Sequence, residues 1–233
     1  MFGSTGSNVN LKGRWWFTSM RRLSRLLGAT LFPPRCCLCG FEGIWPDLDL
    51  CAFCRADLPW DDACEPDCIT ALRFEAPADQ LIRELKYQQN TAHARVLGEL
   101  LASAVRQRGQ PLPQLLVPVP LHRSRFRERG FNQALAIARY AGRSLGVPHA
   151  ARALRRVRDT PSQTGLGRAE RRENLRGAFA LGRGDARRRL QRAGHVAIVD
   201  DVITTGSTSS ELRQLLLESG VARVDRWAVA RAP

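Results

Sequence analysis

Val196-Ala197-Ile198-Val199-Asp200-Asp201-Val202-Ile203-Thr204-Thr205-Gly206-Ser207-Thr208 is the stretch whose reading decides the fold. Four consecutive apolar residues read as a buried strand, and 207–219 carries the periodicity of a helix. A strand that turns directly into a helix is the first half of a parallel crossover unit. Working outward, 224–229 reads as the strand that completes the unit, and Leu115-Leu116-Val117 as another, halted by Pro118 and Pro120. An amphipathic helix is expected over 131–145, with Gly146 just past its end. Ile82, Leu85, Val96, Leu97, Leu100, Leu101, Ala104 and Val105 recur at helical spacing, which places two helices within 77–108. The stretch 152–192 is basic and less apolar. The expected class is α/β, a parallel sheet flanked by helices.

In such sheets ligands bind beyond the carboxyl ends of the strands. There the sequence sets two carboxylates, Asp200 and Asp201, able to accept hydrogen bonds from adjacent sugar hydroxyls. The loop Thr204, Thr205, Gly206, Ser207, Thr208 follows and opens into a helix. Its N–H groups and hydroxyls converge at the positive end of a helix dipole, a cradle for a phosphate monoester, and Gly206 allows close approach of the backbone. The spacing is neither a Walker loop, which needs a Lys, nor a dinucleotide G-x-G-x-x-G. An ordinary strand-to-helix turn leaves the paired carboxylates unexplained.

The chain has 233 residues, 44% hydrophobic and 25% charged, enough to bury a core and too apolar for general disorder. No apolar run approaches the roughly 20 residues that span a bilayer. The formal charge is +14, which favours polyanionic partners; Lys12 and Lys86 are the sole lysines, and a coding bias is the competing reading of that skew toward Arg. The stretch 150–195 carries 13 Arg against Asp159, Glu170, Glu173 and Asp185, a net +9. So dense a run is either solvated and mobile or turned toward a polyanion.

Seven cysteines fall at 36, 37, 39, 51, 54, 64 and 68. Such clustering without a signal peptide points to a reducing compartment, so cytoplasm is expected and metal ligation is favoured over disulfides. Cys36-x-x-Cys39 and Cys51-x-x-Cys54 supply the four thiolates of a structural Zn²⁺ site. Cys64 and Cys68, with three residues between them, are left as a cap, a second site with Cys37, or free thiols. The organisation expected is an N-terminal extension over 1–32 with a basic helix in 20–31, a cysteine-rich zinc-binding module over 33–70, and a larger domain over 71–233.

The 196–208 element resembles the signature of type I phosphoribosyltransferases. Leu116-Val-Pro-Val-Pro-Leu-His122-Arg-Ser-Arg125-Phe-Arg127-Glu-Arg129-Gly-Phe-Asn-Gln133, Arg158-x-Thr160-x-x-Gln163, Arg172-x-Asn174-x-x-Gly177-Ala-Phe179, Leu85-Lys86-Tyr87 and the cysteine pairs together resemble the ComF competence-protein family over about 31–231. Cys64-x-x-x-Cys68 departs from the family's C-x-x-C. The resemblance implies a type I phosphoribosyltransferase-like sheet that binds phosphoribosyl pyrophosphate with Mg²⁺. Asp200 and Asp201 would hold the ribose hydroxyls, and Thr204, Thr205, Gly206, Ser207 and Thr208 the 5′-phosphate. The turn after Val117-Pro118-Val119-Pro120 would be the pyrophosphate loop, with Arg123 and Arg125 nearby and Arg129 and Gln133 in reach. Gln163, Arg172 and Asn174 would face inward from the basic stretch. A role in DNA uptake is implied, with single-stranded DNA and a helicase among the partners. Three functions compete: phosphoribosyl transfer to an unidentified acceptor, binding without turnover, and docking through the zinc module. Trp60, Phe126, Phe131 and Phe179 are candidates to stack on bases, against the commoner role of core aromatics.

Overall fold

A computed structural model describes residues 33–44, 48–63, 65–88, 91–159 and 175–233. The expected 20–31 helix, Cys64, Gln163, Arg172 and Asn174 lie outside them. In chain order the elements are α1 (Ala52–Ala56), β1 (Cys68–Arg73), α2 (Ala78–Gln88), α3 (Thr91–Arg108), β2 (Leu115–Pro118), α4 (Arg123–Arg129), α5 (Gln133–Leu145), β3 (Leu154–Arg156), β4 (Phe179–Leu181), α6 (Asp185–Arg192), β5 (His195–Ile203), α7 (Ser207–Glu218) and β6 (Arg223–Arg231). Four strands form one parallel sheet in the order β1-β6-β5-β2, as the alternation of strands and helices predicts. β3 and β4 make a separate antiparallel ribbon.

Strand alternation sorts the side chains into two layers. Leu116, Ala197, Val199, Trp227 and Val229 pack with α2, α3 and α5. Leu115, Val117, Val196, Ile198 and Val224 pack with α7, α6 and the ribbon. The α3–α5 crossing is close: a Cβ on Gly98 would lie 2.6 Å from Tyr140 Cβ, so only glycine fits there without a shift.

Two elements differ from the sequence expectation. Cys68–Arg73, read with the cysteine module, is the edge strand of the main sheet, five of its six residues buried. Arg123–Arg129 is a helix with no buried residue, closed by His122 at its start and by left-handed Gly130 (φ 74°) at its end. Caps rather than burial define it, which is why apolar periodicity does not reveal it.

The cysteine module is built into the larger core. Cys36, Leu50, Cys51 and Leu58 belong to the same apolar cluster as Leu81, Leu85, Leu97 and Leu101. Asp49 is ion-paired with Arg95 of α3. Residues 33–68 hold two arginines and eight acids, a net −6, which leaves +20 on the rest of the chain. Four of those acids meet arginines of the body: Asp49 with Arg95, Asp61 and Glu65 with Arg231, and Asp67 with Arg226 and Arg213. Among the described residues no helix is long and apolar enough to cross a membrane.

Candidate functional site

β5 runs between β6 and β2 and carries Asp200 and Asp201 near its carboxyl end. β2 lies alongside, Pro118 opposite Val199, and Val119 N–H donates to Val199 O at 2.9 Å. The turn after β2 therefore opens beside Asp200. On the other side, Thr204, Thr205 and Gly206 lead into α7, with Gly206 left-handed (φ 71°) at the N-cap. No side chain caps this helix, so its first-turn N–H groups stay available to a ligand. The loop is braced from within: Thr205 Oγ1 and Ser207 Oγ lie 2.9 Å apart, and Ser209 Oγ–H donates to Gly206 O at 3.0 Å. Asp200 and residues 202–209 line one hollow, which brings the two halves of the predicted motif together.

Although consecutive on the strand, the two carboxyl groups come within hydrogen-bonding reach of each other. Asp201 faces α2, where Lys86 Nζ lies 2.9 Å from its Oδ2, and its Oδ1 accepts the Val202 N–H at 2.8 Å. Asp200 Oδ1 accepts the Asp201 N–H at 2.9 Å. Burial, then the neighbouring Asp201 charge, pushes the Asp200 carboxyl well above the ordinary carboxylate range. Burial acts the same way on Asp201, but Lys86 outweighs it and holds that carboxyl below its usual value. Arg156 of β3 is close enough to Asp200, Arg125 and Asp159 to feel all three charges, and its guanidinium stands 5.6 Å from the Phe179 ring.

Sequence reasoning misses Lys86 and Arg156 as members of this site. Lys86 stands in one of the blocks that carry the family resemblance, yet nothing in its spacing pairs it with an aspartate 115 positions later. The basic residues after β2 are only partly gathered. Arg125 bonds Glu128 at 3.0 Å on α4. Arg129 Nη1 donates to Gln133 Oε1 at 3.4 Å, and Gln133 is buried at the start of α5. Asn132 caps α5 and holds Val119 O at 2.9 Å. Arg123 is exposed. Among the described residues, Arg123, Arg129 and Gln133 make no hydrogen bond or ion pair with Asp200, Asp201 or the 204–208 loop. Phe126 is half exposed, whereas Phe179 is buried and Trp60 and Phe131 are packed against the core.

The four cysteines form a second cluster. The sulfurs of Cys36, Cys39, Cys51 and Cys54 all lie within 4.8 Å of one another, and Cys39 Sγ is 3.6 Å from Cys51 Sγ. A tetrahedral ion with bonds of about 2.3 Å needs sulfurs about 3.8 Å apart, so the set fits a zinc-sized ion. Burial works to raise the Cys36 thiol, yet backbone donors around its sulfur bring it down to about 6. Cys37 is driven by burial up to about 12, and it stands outside the cluster. Cys68 is buried in β1, 3.7 Å from Arg231 Nη2, away from the four.

Sequence comparison places the chain among characterised names. It is 35% identical over 204 residues to Competence protein F of Haemophilus influenzae, covering 85% of each chain. It is 33% identical over 224 residues to DNA utilization protein YhgH of Escherichia coli K12, covering 94% of this chain and 92% of that one. The YhgH protein of Salmonella typhi is 34% identical over 201 residues, covering 84% and 83%. No family model matches the chain.

Proposed function

The chain belongs to the ComF competence-protein family, and from that premise we propose that it binds phosphoribosyl pyrophosphate in DNA uptake and utilization. The observation that carries the ligand is the joining of Asp200 and Asp201 to the glycine-opened start of α7 at the end of one central strand. The carboxylates would accept the ribose hydroxyls, and the 204–208 loop would take the 5′-phosphate. The turn between β2 and α4 opens beside Asp200, where Arg125 and Arg156 supply positive charge for the pyrophosphate. Mg²⁺ would arrive on the pyrophosphate oxygens. Gln163, Arg172 and Asn174 remain candidates to close over the ligand. Transfer of the ribosyl group to an acceptor would draw on the same arginines to stabilise departing pyrophosphate. Zn²⁺ is the ion proposed for the four cysteines, where it would hold the module's two knuckles together. A cytoplasmic setting agrees with cysteines that ligate a metal rather than form disulfides.

Titration calorimetry tests this reading. Phosphoribosyl pyrophosphate with Mg²⁺ should bind the wild type, and Asp200→Asn with Asp201→Asn should abolish the heat; retained binding in the double variant removes the site.

A second reading, binding of single-stranded DNA without turnover, draws support from exposed Arg187, Arg188, Arg189 and Arg192 on α6, where Asp185 is the sole acid. Its affinity should fall steeply with salt and drop when Arg187, Arg188, Arg189 and Arg192, or Arg123, Arg125, Arg127 and Arg129, are neutralised. An affinity indifferent to both rules it out.

A further inference from the structure

We propose that Lys86 is a positioning residue of the sugar site: it holds Asp201 as the anionic member of the carboxylate pair, so that Asp200 carries the pair's one proton and releases it when a vicinal diol is captured. The inference rests on the ribose reading of this site and assigns a role that reading leaves open.

The geometry assigns unequal roles to the two acids. Asp201 receives a full charge from α2, with Lys86 Nζ 2.9 Å from Oδ2, and a peptide N–H at its other oxygen. Both partners of this ion pair are largely shielded, at 21% and 15% side-chain exposure, so it is not a solvent-screened surface contact. Asp200 accepts the N–H of Asp201 and lies against the Asp201 carboxyl group. The charged groups that face it are Asp201 from β5, Lys86 from α2 and Arg156 from β3, with Arg125 of α4 and Asp159 beyond Arg156. Two adjacent carboxyl groups in a half-buried site, with the one ammonium paired to Asp201, are stable with a single proton, as in other paired acids. The side that lacks the ammonium keeps the proton, and the high proton affinity of Asp200 agrees with that assignment.

A ligand offering two neighbouring hydroxyls changes this. Each hydroxyl donates to one carboxylate, and a protonated Asp200 lacks the full acceptor strength that the second donor needs. The O–H bond of Asp200 breaks, the proton leaves for solvent, and no covalent bond of the ligand is altered. Binding should therefore strengthen as pH rises through the Asp200 titration.

Two measurements on the full chain test the proposal. Carbon-13 NMR of Asp-labelled ligand-free protein should show the Asp201 midpoint moving up in Lys86→Met and returning close to wild type in Lys86→Arg. A midpoint unmoved in Lys86→Met overturns the proposal. Calorimetry with phosphoribosyl pyrophosphate in buffers of different ionisation enthalpy should report release of about one proton per ligand, and Lys86→Met should bind about tenfold more weakly. Binding without proton release overturns the diol-driven step while leaving the ribose reading standing. If the wild type binds no phosphoribosyl pyrophosphate, the ribose reading fails instead, and the NMR result decides the lysine's role alone.

Discussion

Arg231, near the end of the last strand, places Nη1 2.5 Å from Glu65 Oε1, in the segment that joins the cysteine module to the sheet. The same guanidinium reaches Asp61 Oδ2 at 3.2 Å, and Arg226 on the same strand takes Asp67 at 3.0 Å. The carboxyl end of the chain thereby fastens a connection made 160 residues earlier.

Arg231→Ala should accordingly destabilise the protein although it touches no proposed ligand. Asp61 is 7% exposed and would be left with a charge it can no longer pair. The expected cost is about 2 kcal/mol, read as a fall of roughly 4–8 °C in Tm, with phosphoribosyl pyrophosphate affinity little changed. A Tm unchanged by the substitution would show that the clamp carries no stability.

Gly206→Ala separates backbone strain from ligand approach. The added Cβ meets nothing closer than 3.8 Å, so the fold should survive at a cost of about 1 kcal/mol for the left-handed conformation. The anion cradle should suffer more, with affinity for phosphoribosyl pyrophosphate down about tenfold. Calorimetry and a thermal melt on one sample check both.

Cys36→Ser and Cys37→Ser are neighbours with opposite expected outcomes. Metal analysis should find about one Zn²⁺ per chain in the wild type and in Cys37→Ser, and little in Cys36→Ser. Because Leu50 and Leu58 share the main core, loss of the ion should lower the single melting transition of the whole chain rather than release a separate one. A Cys36→Ser protein that keeps its metal would contradict the ligand set.

His93 predicts a pH window. Burial lowers its pKa, against the opposing pull of Glu84, whose Oε2 lies 3.0 Å from Nε2. The unfolded chain then takes up the proton more readily, so stability is lost as pH falls below the ordinary histidine value of about 6.5 toward the folded one. In chemical denaturation the wild type minus His93→Gln difference should shrink over that interval and stay flat above it.

The site's centre is legible in sequence because strand, carboxylates, loop and helix occupy thirteen consecutive positions. What surrounds it is not, for physical reasons that differ from residue to residue. Lys86 meets Asp201 only after the chain has crossed the sheet. Cys68–Arg73 has the unbroken apolar burial of a parallel strand, but it begins with a cysteine in a segment full of them. Arg123–Arg129 buries nothing, so no periodicity marks it. β3 and β4 are three residues each, too short for alternation to register.

The sequence divides its charge unevenly, −6 over residues 33–68 against +20 over the rest of the chain. A polyanion of the kind weighed above would feel this division before contact, and the arginine-rich part would be favoured over the cysteine knuckles as the side of approach. The exposed rings of Phe41 and Phe53 on those knuckles would then be presented away from the polyanion. The two surfaces would then be free to meet different neighbours.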